Sequence, residues 1–241
     1  MQSQLEIVAV PAFSDNYIWL VHDPSSGETT VVDPGDAAPA LAEAERRGWR
    51  IRQVWNTHKH WDHTNGNLAV KQATGSLVFG PVEAPGHDVA LGEGDELRIG
   101  DHVGRAIEIP GHTLGHIALV FEEAGVAFVG DTLFAMGCGR LFEGTAEQMH
   151  NSLQRIASLA GDMQLYPGHE YTLSNAQFAV EAEPENQAIG ERLTHVKSLR
   201  EAGKITLPTT VAEERATNPF VRSKDWQELA RLRTRKDSFR S

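Results

Sequence analysis

A single cysteine, Cys138, is all the chain contains. That excludes an intrachain disulfide and any zinc site built from several thiolates, so a metal held here must rely on histidine and carboxylate. Long apolar runs are missing as well, and nothing approaches the roughly 20 consecutive apolar residues of a membrane span. The start, MQSQLEIVAV, lacks the basic segment, apolar stretch and small-residue cleavage site of a secretory signal. The expectation is a cytoplasmic protein without membrane attachment. Positive charge is in short supply, since 22 Lys and Arg face 33 Asp and Glu for a net charge of −11. A phosphate backbone wants a basic face, so nucleic acid is not an expected partner. Repeats and low-complexity stretches are also lacking, and 241 residues can form one core with a smaller appendage or two modest domains. Monomer is the default expectation for assembly.

The one departure from acidity is the tail. From Val221 to Ser241, Arg222, Lys224, Arg231, Arg233, Arg235, Lys236 and Arg240 outnumber Asp225, Glu228 and Asp237. Taken alone, such a run is a solvated helix face with cations toward a helix C-terminus.

Short runs rich in Val and Ile dominate the first two thirds: Glu6 to Val10, Tyr17 to His22, Thr30 to Val32, Ile51 to Trp55, Leu77 to Phe79, Ala106 to Ile109, Ile117 to Phe121 and Val126 to Val129. Turn residues at Ser25-Ser26-Gly27 and Glu123-Ala124-Gly125 predict hairpins. Thr145-Ala-Glu-Gln148 predicts a capping box opening a helix with Met149, Leu153, Ile156 and Leu159 on one face. After about Glu170 the strand-like runs stop. Glu185 to Ala202 and Asp225 to Lys236 read as helices, broken at Pro208 and Asn218-Pro219. The expected domains are therefore a mixed α/β region over 1–169 and a helical region over 170–241.

Chemistry concentrates in Thr57-His58-Lys59-His60-Trp61-Asp62-His63. On a helix His58 and His60 would point in nearly opposite directions, so a loop must gather these side chains. The loop follows a strand-like run, where a rigid sheet can brace it. Three more candidates occupy the same kind of place after a glycine: His112 in Pro110-Gly111-His112, Asp131 after Gly130, and His169 in Pro167-Gly168-His169. Together His58, His60, Asp62, His63, His112, Asp131 and His169 offer five imidazoles and two carboxylates. That donor set suits zinc, with iron or manganese as alternatives, and exceeds what one tetrahedral ion uses. Two ions sharing a bridging carboxylate is the economical arrangement. His22, His87, His102, His150 and His195 lack ligand spacing and are expected to be structural, and His116 is assigned to structure or to support of a ligand.

These residues resemble the metallo-β-lactamase superfamily, whose T-H-x-H-x-D-H loop is met by Thr57 to His63. Within it the chain is similar, over its whole length, to the glyoxalase II family, the hydroxyacylglutathione hydrolases. The resemblance implies an α/β fold, an αββα sandwich with a small C-terminal all-helical domain that binds glutathione. It implies one metal on His58, His60 and His112, a second on Asp62, His63 and His169, and Asp131 bridging. Gly130 to Phe134 and Gly137 to Gly144 also match that family. By the same resemblance Arg140, Phe142, Tyr171, Arg233 and Lys236 bind the substrate, with Arg140 where lysine is common and Phe142 where tyrosine is common. The implied reaction is hydrolysis of S-D-lactoylglutathione and related 2-hydroxyacylglutathiones to D-lactate and glutathione, in methylglyoxal detoxification. A hydroxide bridging two metals would attack, with Asp62 and Asp131 as the carboxylates that serve it. The alternatives are a single-iron glutathione persulfide dioxygenase and a non-catalytic metal- or glutathione-binding module.

Overall fold

A computed structural model describes residues 4–240. The chain forms two compact units, one comprising residues up to 108 with 115–130, the other 109–114 with 131 onward. Packing draws this division, whereas the expected boundary at 170 follows chain order and texture.

The first unit holds β1 (Glu6–Ala12), β2 (Asn16–Asp23), β3 (Glu28–Val32), α1 (Ala37–Arg47), β4 (Arg50–Trp55), α2 (Trp61–Thr64), α3 (Asn67–Thr74), β5 (Leu77–Gly80), β6 (Val89–Ala90), β7 (Glu96–Ile99), β8 (His102–Glu108), β9 (Ile117–Phe121) and β10 (Val126–Gly130). Strands β1 to β6 make one sheet in chain order. It is antiparallel through β3 and parallel from β3 to β6. Strands β7 to β10 are antiparallel neighbours in a second sheet. Both expected hairpins form, β2 with β3 and β9 with β10.

Side-chain alternation, shifted by one residue at the bulge where Thr29 pairs with Ile51 and Thr30 with Gln53, explains the layers. Ile51 and Val54 of β4 join Val10, Ile18, Leu20, Val31 and Val78 in a core that α1 covers with Ala37, Ala40 and Ala44. Asp36 caps α1 by accepting from the Ala38 amide at 3.0 Å, and Gly48 ends it at φ 70°. On the opposite face of β4, Trp55 stacks on Phe121 with ring centroids 5.2 Å apart and meets Phe128 edge-on at 6.5 Å. Those rings join the two sheets. Strands β9 and β10 are buried at every position, which is why each reads as an unbroken apolar run.

The second unit holds β11 (Leu133–Phe134), β12 (Gly137–Cys138), α4 (Ala146–Ala157), β13 (Gln164–Pro167), α5 (Thr172–Ala182), α6 (Gln187–Glu201), β14 (Thr209–Thr210), α7 (Val211–Thr217) and α8 (Trp226–Ser238). The capping box at Thr145 and Gln148 is present, but α4 stops at Ala157 and leaves Leu159 outside it. The C-terminal part is helical except for β14, which pairs antiparallel with β13. Helix α5 was not legible as a separate element. It begins on Tyr171 with no side-chain cap, so the start signal of a helix is missing. A buried carboxylate, Glu214 of α7, braces the hairpin between β11 and β12. It accepts from the Met136 amide at 2.9 Å, Asn218 Nδ2 at 2.8 Å, Arg192 at 2.7 Å and Thr209 Oγ1 at 2.6 Å. Asn218 also donates to the Gly137 carbonyl at 2.9 Å. With its partners supplied, this buried charge tolerates desolvation and holds Met136 in the left-handed region at φ 59°. Among the described residues, no helix is long and apolar enough to cross a membrane.

Candidate metal centre

Each ligand candidate follows a strand end. His58 to His63 come after β4, His112 after β8, Asp131 after β10 and His169 after β13. Strands end there because the chain turns into polar loops whose backbone groups a sheet interior could not satisfy.

In the first unit the loop folds so that imidazole nitrogens converge. His58 Nε2 lies 3.2 Å from His60 Nδ1, and His63 Nε2 lies 3.5 Å from Asp62 Oδ2. Two ligands of a tetrahedral ion, each about 2.0–2.2 Å from it, stand about 3.3–3.6 Å apart, so these separations fit shared coordination. The opposite ring nitrogens are engaged elsewhere. His58 Nδ1 is 3.1 Å from Thr57 Oγ1, whose hydroxyl donates to Asp33 Oδ2 at 2.6 Å. His63 Nδ1 is 3.3 Å from the same Asp33 oxygen. Partners on Nδ1 fix the tautomer with Nε2 unprotonated and available to a metal.

Asp33 is the residue that sequence reasoning missed. Its carboxyl donor atom lies within 4.8 Å of those of His58 and His63, which makes it a ligand by proximity alone. Both oxygens are already accepting, however: Oδ1 from the Thr57 amide at 2.8 Å and Oδ2 from Thr57 and His63. It is therefore placed to orient His58, through Thr57, and His63. The signal was available, because Asp33 follows the Thr30 to Val32 run and precedes Pro34-Gly35, the strand-end placement that singled out the other candidates. His116 is fully buried and stacks on His58, with centroids 4.6 Å apart and rings 13° from parallel. Gly130 permits this packing, since at φ 48° a Cβ there would stand 2.3 Å from Thr57 Oγ1 and 2.7 Å from the His116 ring.

In the second unit two histidines meet one carboxylate oxygen. Asp131 Oδ2 lies 3.4 Å from His112 Nε2 and 3.3 Å from His169 Nε2. His112 donates from Nδ1 to the Arg140 carbonyl at 2.9 Å, which again leaves Nε2 for a metal. Phe142 approaches His112 edge-on at 5.2 Å, and Tyr171 stacks on His169 at 4.7 Å. Both aromatic candidates thus touch a ligand candidate, and both remain exposed.

The three cations expected to bind substrate differ in their surroundings. Arg140 is largely exposed, 3.9 Å from Asp237. Lys236 donates to the Ser174 carbonyl at 2.9 Å and hydroxyl at 2.8 Å. Burial, then the charges of Arg233 and Arg140, lower its pKa to about 8. Arg233 is buried, donating to the Cys138 carbonyl at 2.7 Å and pairing with Asp237 at 2.9 Å. Cys138 itself is buried, and desolvation raises its thiol to about 11, so it is no nucleophile at neutral pH. Asp237 offsets part of the positive charge here, while Lys236, desolvated and repelled by Arg233 and Arg140, would gain from an anionic neighbour.

Comparison with known proteins agrees with this geometry. Residues 12–87 and 75–169 match the model of the metallo-beta-lactamase superfamily, and residues 170–239 that of the hydroxyacylglutathione hydrolase C-terminus. A hydroxyacylglutathione hydrolase of Methylococcus capsulatus is 49% identical over 95% of this chain and 91% of its own. One of Cereibacter sphaeroides is 45% identical over 98% of this chain and 99% of its own. Among solved structures, ETHE1 from Myxococcus xanthus superposes with a TM-score of 0.75 at 25% identity, covering 98% of this chain and 92% of that one. The BLEG-1 B3 metallo-beta-lactamase gives 0.69 at 19% identity, covering 90% and 100%. Fold is therefore shared across the superfamily, while sequence identity separates its branches, and it is with the hydroxyacylglutathione hydrolases that this chain belongs.

Proposed function

We propose that this protein hydrolyses the thioester of 2-hydroxyacylglutathiones, S-D-lactoylglutathione foremost, releasing glutathione and the free hydroxy acid. The observation that carries most weight is full-length identity of 43–49% to relatives bearing the hydroxyacylglutathione hydrolase name. Two donor sets, each with nitrogen and oxygen atoms at separations proper to shared coordination, agree with a metal-dependent hydrolase. The finer assignment gives one ion to His58, His60 and His112, another to Asp62, His63 and His169, and Asp131 to both. Zinc is the expected occupant, since imidazole and carboxylate ligands without thiolate suit it, and iron or manganese are also accommodated. When bound, such ions polarise a carbonyl and lower the pKa of water from about 15.7 toward 7.

The chain's own residues supply the rest. Asp33 and Thr57 hold His58 and His63 in one tautomer. The Arg140 carbonyl does the same for His112. Arg140 and Lys236 offer positive charge to the carboxylates of glutathione, and Phe142 and Tyr171 offer apolar surface to its backbone. The leaving thiol has an ordinary pKa near 8.5, so it departs as thiolate without a general acid. That agrees with a cluster in which every carboxylate has a metal-related task.

Thiol release from S-D-lactoylglutathione, with D-lactate identified as the co-product, tests this. Chelator-sensitive release is expected. A protein that releases no thiol but consumes oxygen with glutathione persulfide belongs to the dioxygenase alternative, and one that binds glutathione thioesters without turnover is a binding module.

A further inference from the structure

Two large aromatic side chains beside the metal loop stand in water. Phe13 is 50% exposed and Trp61 65% exposed, yet they meet edge-on with ring centroids 5.1 Å apart. Trp61 lies between His60 and Asp62 and opens α2. Phe13 sits in the turn joining β1 to β2 and takes φ 51°, a left-handed conformation that a phenylalanine rarely adopts.

Several features hold the pair in place. Asn16, at the far end of the same turn, donates to the Asp62 side chain at 3.0 Å and to its carbonyl at 3.3 Å. Gly35 provides the room: a Cβ there would lie 1.8 Å from the Asp62 carbonyl oxygen and 2.8 Å from Phe13 Cε2. A pair serving only to staple the turn to the loop would be covered by its surroundings. This pair is propped open instead, by a strained backbone and a tie to a ligand candidate, and strain of that kind collects at functional sites. Ser14, exposed beside Phe13, donates to Asp15 at 2.9 Å. Two exposed rings in edge-on contact suit a group with an apolar face.

Given thioester hydrolysis at the adjacent cluster, we infer that Phe13 and Trp61 form an apolar wall that receives the acyl group of the substrate and sets acyl preference. Glutathione, with its two carboxylates, matches the cations of the second unit. The acyl group is the part of the thioester whose chemistry matches this wall.

The test measures kcat/KM for S-acetylglutathione and for the glutathione thioester of a phenyl-substituted 2-hydroxy acid, in the wild type and in Trp61→Ala, Trp61→Phe and Phe13→Asn. Asparagine removes the ring while tolerating positive φ, so backbone strain does not confound that variant. The wild type is expected to favour the aromatic acyl group. Trp61→Ala and Phe13→Asn should each cut the aromatic-to-acetyl ratio by about tenfold, the worth of one good aromatic contact, and Trp61→Phe should keep most of it. A role exerted only through Asp62 would lower turnover of both substrates alike and leave the ratio within twofold of wild type, which overturns the proposal. Should the variants not fold, the wild type alone decides, because an active enzyme with no preference across the acyl series also overturns it. Failure of wild type to release thiol from any S-acylglutathione removes the hydrolase itself, a result distinct from an active enzyme with a flat acyl profile.

Discussion

The first unit gathers its donors within one stretch of six residues, His58 to His63, and braces them with neighbours at Thr57 and Asp33. In the second unit His112, Asp131 and His169 come from three separated loops, and their supports are a backbone carbonyl and two aromatic rings. The first unit orients its ligand candidates through buried side-chain hydrogen bonds. The second places them by loop geometry, which Glu214 and Asn218 help to fix through Met136 and Gly137. Ligand candidates can therefore be dense in sequence or only in space, and the two kinds depend on different supports.

The sharpest break of this comparison is Asp131→Asn. It removes one charge from the oxygen that faces both His112 and His169, so turnover should be abolished and at least one metal lost, measured by thiol release and elemental analysis of the same sample. Full activity with both metals would contradict the assignment. In the first unit Asp33→Asn should weaken metal affinity by about 10- to 100-fold, the usual effect of losing a partner that orients a ligand, without removing a donor. Competition with a chelator of known affinity measures it. An unchanged affinity would mean that Thr57 and His63 hold their positions unaided.

Smaller effects are expected among the cations. Arg233→Met deletes the bond to Cys138 and the pair with Asp237. With an apolar side chain filling the volume, the loss should be about 1.5–3 kcal/mol, read from urea unfolding. A rise in KM with unchanged stability would show instead that Arg233 acts on substrate alone. The smallest effect is one of pH. Lys236 titrates near 8, below the 10.5 of its ordinary value. The unfolded chain therefore binds more protons between about 8 and 10.5, and this group's contribution to stability grows as pH rises through that window. Binding runs the opposite way, because a neutral amine no longer attracts a carboxylate: KM should climb above about pH 8, and Lys236→Met should remove the climb.

Much of this was readable in the sequence, for reasons particular residues make plain. Strands such as Ile117–Phe121 and Val126–Gly130 are buried throughout, so composition alone marks them. The metal loop stands out because imidazoles at that density have little packing rationale. Elements of two residues, β6, β11, β12 and β14, carry too few side chains for a period to show. Asp33 carries the same strand-end signal as the other candidates, but its task as a partner of Thr57 and His63 shows only in the folded contacts. The tail was legible as basic and not as divided into the buried Arg233, the half-desolvated Lys236 and the exposed Arg231 and Arg235, since burial is decided by tertiary packing. Phe13 and Trp61 were passed over because an aromatic residue in a sequence is core until its exposure is known.

What we propose for the His and Asp candidates is that they bind two metal ions. Titrating zinc into chelator-treated protein while following hydrolysis of S-D-lactoylglutathione tests it most directly, with His58→Ala and His169→Ala titrated in parallel. Activity is expected to saturate at two ions per chain in the wild type, with loss of tight binding of one ion in each variant. Saturation at one ion, with one of the two variants indistinguishable from wild type, would contradict it.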